Sequence, residues 1–151
     1  MSRDRFSTRF PFASWPNLSV PAVTAGVYAI WRNDKLIYCG MSGREIDSKG
    51  KAAPKKYGLV TRLNSHASGR LADGQFCVYV ANRFVIQSLK AEELPLFSSG
   101  VLTLDARTKT FIHDHLEYAY ALAETSADAY DLERAARSGQ VFDVQPCLNP
   151  L

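Results

Sequence analysis

The order of apolar and polar positions divides the chain into short strands and amphipathic helices. Val27 to Trp31 and Leu36 to Tyr38, two runs of strand-forming residues, flank the polar turn Arg32-Asn33-Asp34-Lys35 and predict a β-hairpin. With Asn33 and Asp34 at its centre, Trp31 falls opposite Leu36 and Tyr28 comes near Tyr38 or its neighbours, so two phenols can share one surface. Leu59 and Leu63, four apart, mark the apolar side of a helix from about Lys55 or Gly58 to Ala67, stopped by Gly69. Arg62 and His66, also four apart, lie on an adjacent side and reach into a common space. Gln75 to Val80 alternates and is rich in strand formers, which predicts a third strand.

Further on, the pattern is mixed. Lys90 to Leu94 suits a helical turn, Pro95 interrupts it, and Ser98-Ser99-Gly100 reads as a loop. Thr103 is placed to cap a helix from about Leu104 to His115, and Glu117 to Ala123 alternates strictly as a further strand. Ser126 is placed to cap a helix from Ala127 to Arg137, closed by Gly139. At the ends, Pro11, Pro16 and Pro21 with Phe6, Phe10, Phe12 and Trp15 between them predict an extended arm over 1–25 packed on the domain, and Pro146 and Pro150 predict an extended tail. The expected class is α+β: one domain over 26–151, with a small antiparallel sheet of three core strands plus an additional one, flanked by helices and carrying an insertion at about 82–115.

Composition adds compartment and charge. With 151 residues, 46% hydrophobic and 22% charged, the chain can bury a core of its own. Cys39, Cys77 and Cys147 form no CxxC pair and predict reduced thiols, and the opening residues lack a signal-peptide core, so a cytoplasmic protein with no membrane association is expected. The net charge of +3 conceals an asymmetry. Arg44 to Arg70 holds seven basic and two acidic residues, a net +5, which leaves −2 for the remainder. Such a segment after the hairpin steers a polyanion to one face, and Arg44, Lys49, Lys51, Lys55, Lys56 and Arg70 are candidate nucleic-acid contacts. A solvated loop is the plainer reading of the same charges.

Gly26-Val27-Tyr28 and Tyr38-Cys39-Gly40, ten residues apart from tyrosine to tyrosine, resemble the signature of the GIY-YIG nucleases, with Val and Cys in place of the two isoleucines. The resemblance continues in order through Arg62 on a helix, Glu133 within Ala129-Tyr130-Asp131-Leu132-Glu133-Arg134, and the terminal Asn149. His66, four residues after the arginine, inclines it towards the restriction-endonuclease branch. The resemblance implies a metal-dependent endonuclease acting on DNA, with RNA as the lesser possibility. Tyr28 would be general base towards the attacking water, and Tyr38 would orient that water or the first tyrosine. Arg62 would grip the phosphate and, together with the nearby lysines and with His66 as proton acceptor, would ease loss of the Tyr28 proton. Glu133 would hold Mg²⁺ or Mn²⁺, and Asn149 would hydrogen-bond within the site or to the substrate backbone. Gly26 and Gly40 are the motif's structural positions.

Other readings remain beside this one. Glu133 could simply pair with Arg137 at i+4. His113-Asp114-His115 with Glu117 invites a metal-site reading, although two histidines two apart face apart on a helix, and Glu117 is the rival for the catalytic glutamate. For the whole chain, the alternatives are a non-catalytic nucleic-acid-binding module of the same fold and an unrelated small α+β interaction domain.

Overall fold

The computed structural model describes residues 3–22, 24–43 and 58–150. An antiparallel sheet of four strands forms its centre, in the order β1-β4-β2-β3: β1 (Phe10–Pro11), β2 (Ala25–Arg32), β3 (Lys35–Ser42) and β4 (Leu116–Ala123). Five α-helices accompany it: α1 (Leu59–Ala67), α2 (Gln75–Val80), α3 (Leu94–Ser98), α4 (Leu104–His115) and α5 (Ser126–Arg137). The class is α+β, as the sequence pattern leads one to expect.

The sheet is buried on both faces, which is why β2 is apolar almost throughout rather than alternating. Tyr28, Ile30, Ile37 and Tyr118 face a core built from Leu59 and Leu63 of α1, Phe76 of α2, Ile112 of α4 and Phe12 of the N-terminal arm. Val27, Ala29, Trp31, Cys39 and Ala121 face Ala129, Leu132 and Ala136 of α5. The small side chains on this second side bring α5 close to the sheet.

The hairpin turns where expected. Asn33 takes φ 55°, a left-handed conformation that asparagine tolerates, and Trp31 faces Leu36. The register then slips by one, because Ile30 faces Tyr38. Ile37 is thus the extra residue of a β-bulge, so Ile37 and Tyr38 both serve the α1 face. Without the bulge, Tyr28 would face Cys39. With it, Tyr28 faces Gly40 and Tyr38 lies on the same side as Tyr28.

Four expectations are corrected, three of them about helices and their caps. Gln75–Val80 is not a strand but α2, continued by a π-helical segment Ala81–Val85 and a 3₁₀ turn Ile86–Ser88. Phe76, Cys77, Val80, Ala81 and Val85 are the buried positions, a helical spacing that extends past the six residues whose alternation suggested a strand. Pro95 does not interrupt a helix but lies in the first turn of α3, where its missing N–H costs nothing. The cap of α5 is Thr125 rather than Ser126, its Oγ1 accepting from the Asp128 N–H at 3.0 Å.

Elsewhere the pattern holds. Thr103 Oγ1 caps α4 by accepting from the Ala106 N–H at 3.1 Å, and α4 covers Leu104–His115 as expected. The N-terminal arm packs on the domain with Phe12 fully buried, and Arg5 fastens it to α5 through both carboxylate oxygens of Asp128 at 2.8 and 3.1 Å. The tail is a series of turns rather than an extended strand. The basic residues Arg44, Lys49, Lys51, Lys55 and Lys56 lie outside the described residues.

Candidate active site

Among the described strands β3 is at one edge of the sheet, and a cleft of about 340 Å³ opens beside it. Tyr28 and Tyr38 come from the hairpin, Arg62 from α1, Glu133 from α5 and Asn149 from the tail, and all five line this cleft. Both sides of the sheet contribute because the cleft lies at the strand's edge, where α1 and α5 are separated by the thickness of β3 alone.

The motif glycines have steric reasons. A Cβ on Gly40 would fall on the Tyr28 hydroxyl and ring, so the phenol crosses its neighbouring strand only because that position is bare. A Cβ on Gly26 would collide with Leu59 of α1 and with the Ala121 carbonyl, so this glycine lets α1, and with it Arg62, lie against the sheet. Val27 and Cys39, which stand where the resemblance expects isoleucines, are both buried against α5. Burial, reinforced by nearby Glu133, pushes the Cys39 thiol up to about 12, so it serves as an apolar filler and not as a nucleophile.

On the α1 side, the Tyr28 and Tyr38 rings stack with centroids 6.3 Å apart. Tyr28 Oη is 2.7 Å from His66 Nε2. His66 is 1% exposed and does not line the cleft; it stands behind the tyrosine, with its ring against Phe76. Burial, and then the positive charge of Arg62, lower its pKa to about 3, so the imidazole is neutral near pH 7. Among the described residues its buried Nδ1 has no partner. Burial, with a further contribution from Tyr38, raises the Tyr28 phenol well above its ordinary value, while the Arg62 guanidinium acts in the opposite sense by charge and hydrogen bond. Burial raises Tyr38 as well, and Arg62 again opposes it.

On the α5 side, Glu133 is 6% exposed, and its Oε1 accepts from Arg137 Nη1 at 3.0 Å. Arg137 Nη2 donates to the Pro150 carbonyl at 2.8 Å, which ties the tail to the helix. Arg137 itself lines the cleft. Sequence reading assigns it only as a partner for Glu133; the i+4 spacing foretells that pair, but not its position in the site. Asn149 behaves like one residue of an added strand, accepting from the Cys39 N–H and donating to the Cys39 carbonyl, both at 2.8 Å. Beside it, the Leu148 N–H donates to the Ile37 carbonyl at 2.8 Å. Asn149 therefore holds the second half of the motif in place.

The remaining candidates lie elsewhere. Arg70 is exposed and pairs loosely with Asp73 at 3.8 Å. Glu117 does not line the cleft and stands 3.8 Å from Arg9. His113 Nε2 bonds the Ala67 carbonyl at the end of α1 at 2.9 Å, while His115 packs on Phe111. Among the described residues, no group of three or more His, Cys, Asp or Glu side chains forms a metal cage. Glu133 is the single carboxylate in the described lining of the cleft. Such a donor set suits a hard cation that keeps most of its water, such as Mg²⁺ or Mn²⁺, and not zinc or calcium held by protein ligands.

No family model, curated protein or solved structure matches the chain. Function is therefore read from the residues themselves. No helix among the described residues is long and apolar enough to cross a membrane.

Proposed function

We propose that this protein is a divalent-metal-dependent endonuclease that hydrolyses phosphodiester bonds, in DNA ahead of RNA, and that it is similar to the GIY-YIG nucleases with a lean towards their restriction-like branch. The observation that carries this reading is the gathering of Tyr28, Tyr38, Arg62, Glu133 and Asn149, spread over 122 positions of the chain from 28 to 149, along one cleft. These are the residue types that phosphodiester hydrolysis calls for, and they are the positions that the resemblance to the GIY-YIG nucleases picks out.

The geometry supports one set of roles. Arg62 offers a forked set of donors to the non-bridging oxygens of a phosphate entering the cleft. Tyr28 is placed to take a proton from a water attacking that phosphate. It can do so only as its own proton moves away, and neutral His66, 2.7 Å behind it, is the acceptor in reach. Tyr38, stacked beside Tyr28, limits where that water can sit. Asn149 fixes β3 and is a positioning residue. Glu133 would hold the cation, which when bound neutralises phosphate charge and acidifies a water for the departing oxygen. The basic segment with Arg44, Lys49, Lys51, Lys55 and Lys56, together with Arg70, would draw in the polyanion.

A second reading, the nucleic-acid-binding module without catalysis, is favoured by two specific features: burial holds the Tyr28 proton firmly, and Glu133 already has a partner in Arg137. Incubation of supercoiled plasmid with Mg²⁺ or Mn²⁺ separates the two. Nicking by the wild type, lost in Glu133→Ala and kept in Glu117→Ala, supports the nuclease. Binding without cleavage under either ion supports the module.

A further inference from the structure

Glu133, Arg137 and Asn149 line the cleft and also line a second cavity of about 400 Å³, whose other lining includes Tyr130, Arg134 and Gln145. The three shared residues form a ridge between the two spaces. Arg137 spans it, with one nitrogen on Glu133 and the other on the Pro150 carbonyl.

We propose that this second cavity, resting on the reading of the first as a phosphodiester site, is a binding groove for the nucleotides that flank the scissile phosphate on one side, with Arg134 taking a phosphate and the Tyr130 ring taking a base or sugar face. A strand whose phosphate lies at Arg62 must continue past the cleft, and the groove begins where the cleft ends. The groove is also cationic. Glu133 is already matched by Arg137, so Arg134 is left in excess of the described acidic lining.

The helix supplies the spacing. Tyr130, Arg134 and Arg137 run along one side of α5 over two turns, about 10 Å at 1.5 Å per residue, the length of about three stacked nucleotides. The opposite side of α5 is buried through Ala129, Leu132 and Ala136, so the row is displayed rather than packed. Tyr130 is 46% exposed, a large ring that the core does not use. Arg134 Nη1 donates to the Tyr130 hydroxyl at 3.3 Å, and its guanidinium stands 5.6 Å from that ring. This pairing holds both groups towards the groove and leaves the other guanidinium donors unspent. An aromatic face beside a guanidinium is the usual platform for single-stranded nucleic acid.

The test is fluorescence anisotropy with labelled single-stranded and duplex oligonucleotides, in EDTA, between about 50 and 200 mM salt. It compares the wild type with Tyr130→Ala, Tyr130→Phe, Arg134→Ala, Arg62→Ala in the cleft and, as a charge-matched control on an exposed arginine outside both cavities, Arg83→Ala. Thermal melting establishes that each variant is folded. Arg134→Ala is expected to weaken binding about tenfold and to reduce the salt slope by about one. Tyr130→Ala should weaken single-strand binding about tenfold, with Tyr130→Phe restoring it, because stacking needs the ring and not the hydroxyl. Arg83→Ala should leave both quantities near wild type. If Arg134→Ala and Tyr130→Ala bind as the wild type does while Arg62→Ala is impaired, the strand leaves by another route and the groove is overturned, although the cleft stands. If the wild type binds no nucleic acid at all, the cleft reading falls and the groove falls with it.

Discussion

On the α1 wall of the cleft a neutral tyrosine–histidine pair is shut away behind the charged Arg62, whereas on the α5 wall an ion pair carries its charge out to solvent. Tyr28 and His66 share a buried hydrogen bond inside an aromatic cluster, and burial shifts both towards their uncharged forms. Glu133 lies as deep, but Arg137, with 37% of its side chain exposed, carries its charge outwards and anchors to the tail. The contrast teaches how one edge strand can serve two needs. Under the proposed function, proton transfer would use a dry place where a phenol and an imidazole meet without competing water, and cation handling would use a place that solvent can enter. β3 separates them by one strand.

The contrast can be broken one wall at a time. Glu133→Gln should lower cleavage about 10³-fold, since it removes the only carboxylate in the described lining of the cleft. The melting temperature should hardly change, because the amide oxygen can still accept from Arg137; nicking assays beside thermal melts check both. Tyr28→Phe should reduce cleavage about 10²-fold and also cost about 1–3 kcal/mol of stability, because it strips buried His66 Nε2 of its partner. Denaturant titration measures the second effect, which Glu133→Gln should not show. Gly40→Ala should destabilise by about 1–3 kcal/mol through the clash with the Tyr28 ring, and should slow cleavage by displacing that phenol.

The pH dependence sharpens the comparison further. His66 titrates at an ordinary 6.5 when unfolded and at about 3 when folded, so between those values the unfolded chain binds more protons. Its contribution to stability is complete above pH 6.5 and is lost as pH falls towards 3, by up to about 1.4 kcal/mol per pH unit. His66→Gln should flatten that part of the stability profile. Asp128, held below its ordinary 3.8 by Arg5, keeps its contribution above that pH and loses it only below, so the upper part of the His66 slope is unmasked. The smallest expected effect is that of Arg137→Lys, which keeps a charge near Glu133 but gives up the fork that bonds Glu133 and the Pro150 carbonyl at once. About 1 kcal/mol of stability should be lost, measurable by chemical denaturation.

Local chemistry made the hairpin turn at Asn33, the Thr103 cap and the alternation of Glu117 to Ala123 legible in the sequence, since each is fixed by neighbours within a few residues. The same holds for Leu59, Leu63, Arg62 and His66 on α1. Gln75–Val80 was not legible because six residues contain alternation by chance, and only the positions beyond Val80 reveal the helical period. Nor did any local signal mark the bulge at Ile37, although it decides that Tyr38 shares a face with Tyr28. Asn149 stood out by its place in a motif, yet its use, as a substitute for strand backbone opposite Cys39, depends on a contact 110 residues away. Arg137 in the cleft is likewise a product of packing, because its second anchor is the tail.

The central claim is that the two walls act together on one phosphate, and single-turnover cleavage of a labelled duplex with Mn²⁺ tests it most directly. The variants are Tyr28→Phe, Glu133→Gln and the double variant, all verified as folded. Groups that act as a unit are not additive, so each single variant is expected to lose at least about 10²-fold and the double variant to be no slower than the worse single one. Wild-type rates in either single variant, or no cleavage by the wild type itself, would contradict the account.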